Sequence, residues 1–430
     1  MKKNKYLMTV IFLMIIAFIS LGLSKIVMNK DGYKNKYEFF HSKTDFDALF
    51  IGTSRMHEGV DPIYLWENYG ISSYNLASAG ESIQVTYYVL AEALEHCNPK
   101  VVFVEPTKIS DEKNAINCGY GFVHESLDPL PLNKNKLEAI SYASKFFDGG
   151  MLAFLSNIYA YHDRVDSLEE EDFNLPINYD KGAYLMTDVV KVNPVSGNFT
   201  DEVQELQGGD GVIYYKKILD LCKEKNIKCV LLDIPASADY VGPGFQKRLN
   251  ALIEITEEKG GESLNLAETH DLLGIDFDHD FGDFVHLNFM GAAKVSEYLG
   301  KYMQTNYSIA DHRDDPEYAE AWEEDIEKWN EQRIRMLADK ADPVSYIFGT
   351  DPEDTYCEVY MADLSKIESH YALQFCFDKM GIKPEEVKTE EIGNLDMKIV
   401  VRSKADDRWL AEQYFVCDQS SLTFRVHEPE

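Results

Sequence analysis

The chain has 430 residues, enough for two or three domains, the largest with a full core. Its 74 acidic residues outnumber 42 Lys and Arg, a formal net charge of -32, which argues against nucleic-acid binding because no basic stripe can displace counterions from phosphates. With 26 Tyr and 23 Phe, this is a folded, self-repelling acidic body rather than a disordered one.

At the amino terminus Lys2, Lys3 and Lys5 precede an uncharged run, Tyr6 to Ser24, that stops at Lys25. At about 1.5 Å rise per residue the run roughly crosses a bilayer core. Ser20-Leu21-Gly22 is a poor substitute for a small-x-small cleavage site. Residues 1–36 therefore read as an uncleaved signal anchor with its juxtamembrane segment, against a cleaved signal peptide as the rival. Lysines flank the run on both sides, so the positive-inside rule does not fix orientation. Export of the long body is the usual outcome, which makes the body extracytoplasmic and the protein single-pass.

From residue 37 to 307 strands and helices alternate. Phe46–Ile51 is the first expected strand, followed by a helix at Pro62–Tyr69, a short strand at Ile71–Ala77 and a helix at Ile83–His96. Val101–Val104 is a continuous β-branched run suited to a buried parallel strand. A helix at Val212–Lys225, a strand at Lys228–Asp233, a helix at Phe245–Lys259, a strand at Glu262–Leu266 and a helix at Met290–Met303 complete the unit. This rhythm predicts an α/β fold, a flavodoxin-like three-layer α/β/α sandwich.

Two segments break the rhythm. Residues 110–209 form an insertion rich in Tyr, Asn and Asp, with an apolar patch at Met151–Tyr161 and an acidic run at Glu169–Asp172. A structureless loop of that length does not suit a compact domain, so the insertion is expected to be a partly helical lid or substrate-facing subdomain. A helical linker over 308–345, centred on a charged helix at Pro316–Lys340, leads to a small β-rich domain over 346–430. Its expected strands are Cys357–Met361, Tyr371–Phe377, Met397–Arg402, Gln413–Cys417 and Leu422–Val426. The seven cysteines lack paired Cys-x-x-Cys spacing, so no zinc site is written. Cys222 and Cys229 either pair or remain buried thiols, and Cys357, Cys376 and Cys417 look like core positions on strands.

Two stretches carry chemistry. Phe50-Ile51-Gly52-Thr53-Ser54-Arg55 turns abruptly from an apolar strand, which would present the Ser54 hydroxyl at the carboxyl end of the sheet. Far along the chain, Asp283-Phe284-Val285-His286 precedes the last helix of the sheet domain. A serine needs a base, and the base needs an acid behind it to set its tautomer. By spacing alone Gly-x-Ser also reads as an ordinary turn, Asp283 as a helix cap and His286 as a surface residue. Arg55 could hold an anionic substrate group or pair with Asp47 or Glu58, and His57 is carried away from the hydroxyl by the helix start. Asp276, Asp278, His279, Asp280, Asp283 and His286 are oxygen-rich but lack the order of an EF-hand loop, so a solvated acidic loop is the better reading than a metal site. No Gly-x-Gly-x-x-Gly or Walker loop occurs, so no nucleotide cofactor is indicated.

Together these stretches resemble the SGNH (GDSL-type) hydrolases. Gly52-Thr53-Ser54-Arg55 resembles the first block, Asn75-Leu76-Ala77-Ser78-Ala79-Gly80 the second, and Asp283-Phe284-Val285-His286 the last. The resemblance covers about Asp45 to Met303 without the insertion, and is closest to membrane-anchored envelope members similar to teichoic acid D-alanylation transfer proteins and exopolysaccharide acetylation proteins. It implies the SGNH fold, Ser54 as nucleophile, His286 as base and Asp283 as its orienter. The backbone N–H groups of Ser54 and Gly80 would donate to the oxyanion. The third block departs: the expected Asn donor is replaced in Val104-Glu105-Pro106-Thr107, so either Asn75 or a group from the insertion substitutes for it or the enzyme is weak on ordinary esters. The implied activity is that of an esterase or O-acyltransferase on a cell-envelope glycan or polymer, with a membrane protein supplying the acyl group. The alternative is a non-catalytic accessory protein on the same scaffold.

Overall fold

The computed structural model describes residues 2–426 apart from 43, 169, 174–178, 187, 189, 196–198, 337–342, 349, 351–353, 368–372, 374, 375, 378, 379 and 419–422. Helix α1 (Lys2–Val27) contains, at Met8–Val27, one stretch long and apolar enough to cross a membrane. Helix α2 (Asp31–His41) follows at once and belongs to the body, because Lys36 and Phe39 are buried in it. The boundary expected at residue 36 therefore moves to the start of α2.

Strands β1 (Ala48–Ile51), β2 (Ser73–Asn75), β3 (Val101–Val104), β4 (Lys228–Asp233) and β5 (Glu262–Asn265) form one parallel sheet in the order 2-1-3-4-5. That is a common doubly wound order, with the chain reversing direction between β1 and β3. Strands β1 and β3 are apolar at every position, and β4 from Cys229 to Leu232, because both faces are covered. Leu49, Ile51, Val102, Val104, Cys229 and Leu231 point into one core, and Ala48, Phe50, Val101, Phe103, Val230 and Leu232 into the other.

Helices α3 (Ser54–His57), α4 (Pro62–Tyr69) and α5 (Ile83–Ala93) link the first three strands. The insertion is helical in its first half, with α6 (Tyr120–Leu127), α7 (Lys134–Ala143), α8 (Gly150–Leu155) and α9 (Asn157–Ala160). Helices α6 and α7 pack on α5. Of the expected acidic run, residues 170–173 form a 3-10 turn, and Glu169 lies outside the described residues. Helices α10 (Asp210–Glu224), α11 (Pro243–Lys259), α12 (His270–Leu273) and α13 (Phe289–Tyr307) complete the sandwich. The first core takes α5 and α10, and the second takes α13. Cys222 on α10 and Cys229 on β4 are buried free thiols.

Helix α14 (Pro316–Met336) is not a free-standing linker; the rest of the helix expected to Lys340 lies outside the described residues. Its Trp322 is buried, stacks on Trp66 with ring centroids 4.7 Å apart, and donates its indole N–H to Ser72 Oγ at 3.1 Å. A stack of this kind adds about 0.5–1.5 kcal/mol beyond the area it buries.

The carboxy-terminal unit holds α15 (Pro343–Phe348) and a second sheet of β6 (Thr355–Met361), β7 (Glu385–Glu386), β8 (Met397–Ser403), β9 (Trp409–Asp418) and β10 (Thr423–Val426), in the order 10-9-8-6-7. One expected strand there is wrong. Within Tyr371–Phe377, residues Leu373, Cys376 and Phe377 are helical, as is Met380 beyond it. Their spacing of three, four and seven puts them on one helical face, and all four pack into the core of this unit. The aromatic composition, Tyr371, Phe375 and Phe377, masked that period.

Candidate active site

The local conformation of the β1–α3 turn depends on Gly52. Its φ is +138°, and a Cβ there would come within 2.6 Å of Glu105 Cβ on the neighbouring strand end. The turn places Ser54 at the first position of α3, with Thr53 as its N-cap. A first-turn N–H has no acceptor inside its own helix. Among the described residues neither the Ser54 nor the Gly80 N–H has an intramolecular acceptor. Gly80 reaches its position with φ +59°, against the ring of Phe122 from the insertion.

The structure brings Ser54, His286 and Asp283 together. Ser54 Oγ lies 2.7 Å from His286 Nε2, and His286 Nδ1 lies 2.9 Å from Asp283 Oδ2. The carboxylate accepts at Nδ1, so that nitrogen carries the proton and Nε2 is free to accept from the serine. The other oxygen of Asp283 accepts the backbone N–H groups of Val285 at 2.6 Å and His286 at 2.8 Å, which holds the loop in a tight Asx turn. Partial burial would raise the Asp283 pKa, but the imidazole and these two N–H groups override it and hold the carboxyl below its usual value. Asn288, not Asp283, caps α13: its Oδ1 accepts from Met290 and Gly291, and its Nδ2 donates to carbonyls of Asp188, His279 and Phe281.

Glu58, weighed from sequence only as a partner for Arg55, stands behind the same imidazole. Its Oε2 lies 3.5 Å from His286 Nδ1 and has no hydrogen-bond partner among the described residues. Burial, with the Asp283 charge adding to it, pushes the Glu58 carboxyl up to about 8. Near pH 7 the base thus has one ionised carboxylate and one neutral carboxyl beside it. Because the folded state keeps a proton that the unfolded chain releases near 4.5, stability falls as pH rises from about 4.5 to about 8. Glu58→Gln is expected to match the wild type at pH 4 and to exceed it at pH 8 by on the order of 1–3 kcal/mol in urea unfolding.

Arg55 is not paired with Asp47 or Glu58. It is buried and reaches across the strand ends, with Nη1 2.9 Å from Asp233 Oδ1, 3.1 Å from Glu105 Oε1 and 3.0 Å from Thr107 Oγ1, while Nη2 donates to the Ile234 carbonyl. Glu105 Oε2 also accepts from Thr53 Oγ1 at 2.8 Å. Burial works against the Arg55 charge, and Asp233 and Glu105 more than offset it, leaving its pKa raised. Burial likewise lifts Asp233 to about 6 despite the guanidinium. Glu105, standing where an oxyanion donor was expected, therefore answers to Arg55 and Thr53.

Asn75 does not supply the missing donor. Both its N–H bonds go to buried carbonyls, Met56 at 2.8 Å and Val60 at 3.1 Å, and its Oδ1 accepts from Ala77. The reason is structural: Asn75 ends β2 beneath α3 and closes the loop around it. His57 is also turned away, with Nε2 accepting from Asn35 Nδ2 of α2 at 3.0 Å. Burial, with Lys36 and His286 adding to it, drives the His57 pKa down to about 3, so it stays neutral. In the acidic loop Asp276 bonds His279, Asp280 bonds Lys294 and Asp278 pairs with Lys191.

Exposed aromatic side chains border the site. Phe122 lies against Gly80, the Tyr184 N–H donates to the His57 carbonyl at 3.0 Å, and Phe284 sits between Asp283 and His286 in sequence. Phe122 and Tyr184 both come from the insertion. Their sequence context carried no signal that would have singled them out. Comparison with protein-family models and with curated proteins finds no match for this chain.

Proposed function

We propose that this protein is a membrane-anchored serine acyl-esterase or O-acyltransferase of SGNH type, acting outside the cytoplasm on a cell-envelope glycan or polymer. The observation that carries the reading is the unbroken chain from Asp283 through His286 to Ser54. His286 Nε2 takes the Ser54 proton as Oγ attacks an acyl carbonyl, and the N–H groups of Ser54 and Gly80 receive the oxyanion. Collapse expels the leaving alcohol, protonated by His286, and leaves an acyl-Ser54 ester. Water or an acceptor hydroxyl, deprotonated in turn by His286, then takes the acyl group. The α1 helix and the aromatic border favour a bulky acceptor held close to the membrane, with a membrane protein supplying the acyl group.

A second reading, a non-catalytic accessory protein on the same scaffold, is favoured by the third strand end. Glu105 cannot donate and Asn75 is committed, so only two backbone donors are left for an oxyanion. Fluorophosphonate labelling followed by peptide mass spectrometry separates the two. A covalent adduct at Ser54, lost in Ser54→Ala, is the expected result; an unlabelled Ser54 in a folded chain supports the accessory protein.

A further inference from the structure

The exit of α1 is gripped by the insertion. Asn157 Nδ2 donates to the Ser24 carbonyl at 3.5 Å, and Arg164 Nη1 donates to the carbonyls of Val27 at 2.9 Å and Met28 at 2.7 Å. Lys30 adds a buried ion pair to Asp172 at 3.4 Å, and Arg164 bonds the same carboxylate at 3.0 Å. The last carbonyls of a helix have no acceptor role inside it, and a cation there complements the dipole. Residues α9 and the 3-10 turns after it thus close the carboxyl end of α1.

That grip fixes the height of the insertion. The stretch Met8–Val27 is 20 residues, about 30 Å as a helix, which matches the hydrocarbon core of a bilayer. Val27, with Asn157 and Arg164 at this end of the helix, then lies at the interface. The same segments leave large apolar side chains in the open: Met151, Leu152 and Leu155 on α8, Tyr159 on α9 and Val165 just beyond are 41–57 % exposed. On α8 the neighbouring Ala153 and Phe154 are buried in the body, so α8 is anchored by one face and bare on the other.

We infer that α8, α9 and Val165 form a rim that lies in the bilayer interface, its apolar side chains among the lipid chains. The occupant is lipid because in this rim α9 packs on α1, and α8 on α9, at the end of the helix where it leaves the core, with their apolar side chains exposed there. Its Tyr and its flanking Arg and Lys suit the headgroup boundary. A chain of formal charge -32 is repelled by an anionic surface, so contact there has to be made by apolar groups. The rim would hold the Ser54 site at one distance from the membrane instead of letting it swing on a tether.

The inference rests on reading α1 as a membrane helix, and the test separates the two. The full chain, with a diazirine amino acid at Ile15, Leu152 or Leu272, is reconstituted in phosphatidylcholine vesicles containing some phosphatidylglycerol, irradiated and analysed by mass spectrometry. Leu272 is exposed on α12, which packs with α13 on the other side of the sheet. Lipid adducts at Ile15 and Leu152 but not at Leu272 are expected. Adducts at Ile15 without any at Leu152, or crosslinks from Leu152 to a second copy or another protein, overturn the rim. No adduct at Ile15 overturns the anchor beneath it.

Discussion

Acyl turnover is expected to fall by about 10²–10⁴-fold when His286 is replaced by alanine, the range lost with a general base. The hydroxyl of Ser54 stays protonated near neutral pH, and with Nε2 removed no other side chain among the described residues is within hydrogen-bond distance to accept its proton. Asp283→Asn is expected to have a loss of similar size for a different reason. An asparagine can present its amide N–H to Nδ1, which moves the imidazole proton to Nε2 and turns the base into a donor facing Ser54. The two variants differ in stability. His286→Ala removes a half-buried ring, whereas Asp283→Asn also weakens the Asx turn made by the Val285 and His286 N–H groups. Release of chromophore from a short-chain aryl ester, measured with circular dichroism on the same samples, checks both. Full activity in folded His286→Ala would remove the triad.

The largest effect on stability is expected at Arg55. Arg55→Met leaves Asp233 and Glu105 facing each other in the core with no cation between them, at a cost of about 3–5 kcal/mol. The deficit should be greater at pH 8 than at pH 5. Asp233 already has its pKa lifted to about 6, and without Arg55 it rises further, so acid neutralises the pair by protonating it. Urea midpoints at the two pH values measure this directly. An equal deficit at both would mean that packing, not charge, is what Arg55 supplies. Because Arg55 follows Ser54 on α3, a shift of the guanidinium also displaces Ser54, and on the proposed mechanism small displacements of that group are costly. Arg55→Lys keeps a charge but cannot reach Asp233, Glu105 and the Ile234 carbonyl with one planar fork.

The sheet was legible in sequence because its central strands are short runs of four consecutive apolar residues bounded by glycine, proline or polar residues. Such runs have few other ways to be buried. Helices α5, α10, α11 and α13 were legible for the related reason that each shows a single apolar face. The carboxy-terminal helix containing Leu373, Cys376 and Phe377 was misread, since a short run of strand-forming residues carries both periods at once. The role of α14 was misread too: its composition is that of a solvated charged helix, yet Trp322, Tyr318 and Ile326 pack on the body and Asp325 pairs with Lys181.

By itself the sequence determined the order of strands and helices along the chain, the apolar reach of α1, and the residue types in the turns after the first two strands and in the loop before α13 that carry Ser54, Gly80 and Asp283-x-x-His286. These are local properties: periodicity, turn chemistry and composition act over a few residues. The tertiary structure alone decided which polar groups face one another. It set His286 against Ser54 across 232 positions, gave Glu105 and Asp233 to Arg55, committed Asn75 to carbonyls, and placed Glu58 behind the imidazole. Hydrogen bonds and buried charges depend on distances of a few tenths of an ångström between parts of the chain far apart in sequence, and no local pattern encodes those distances.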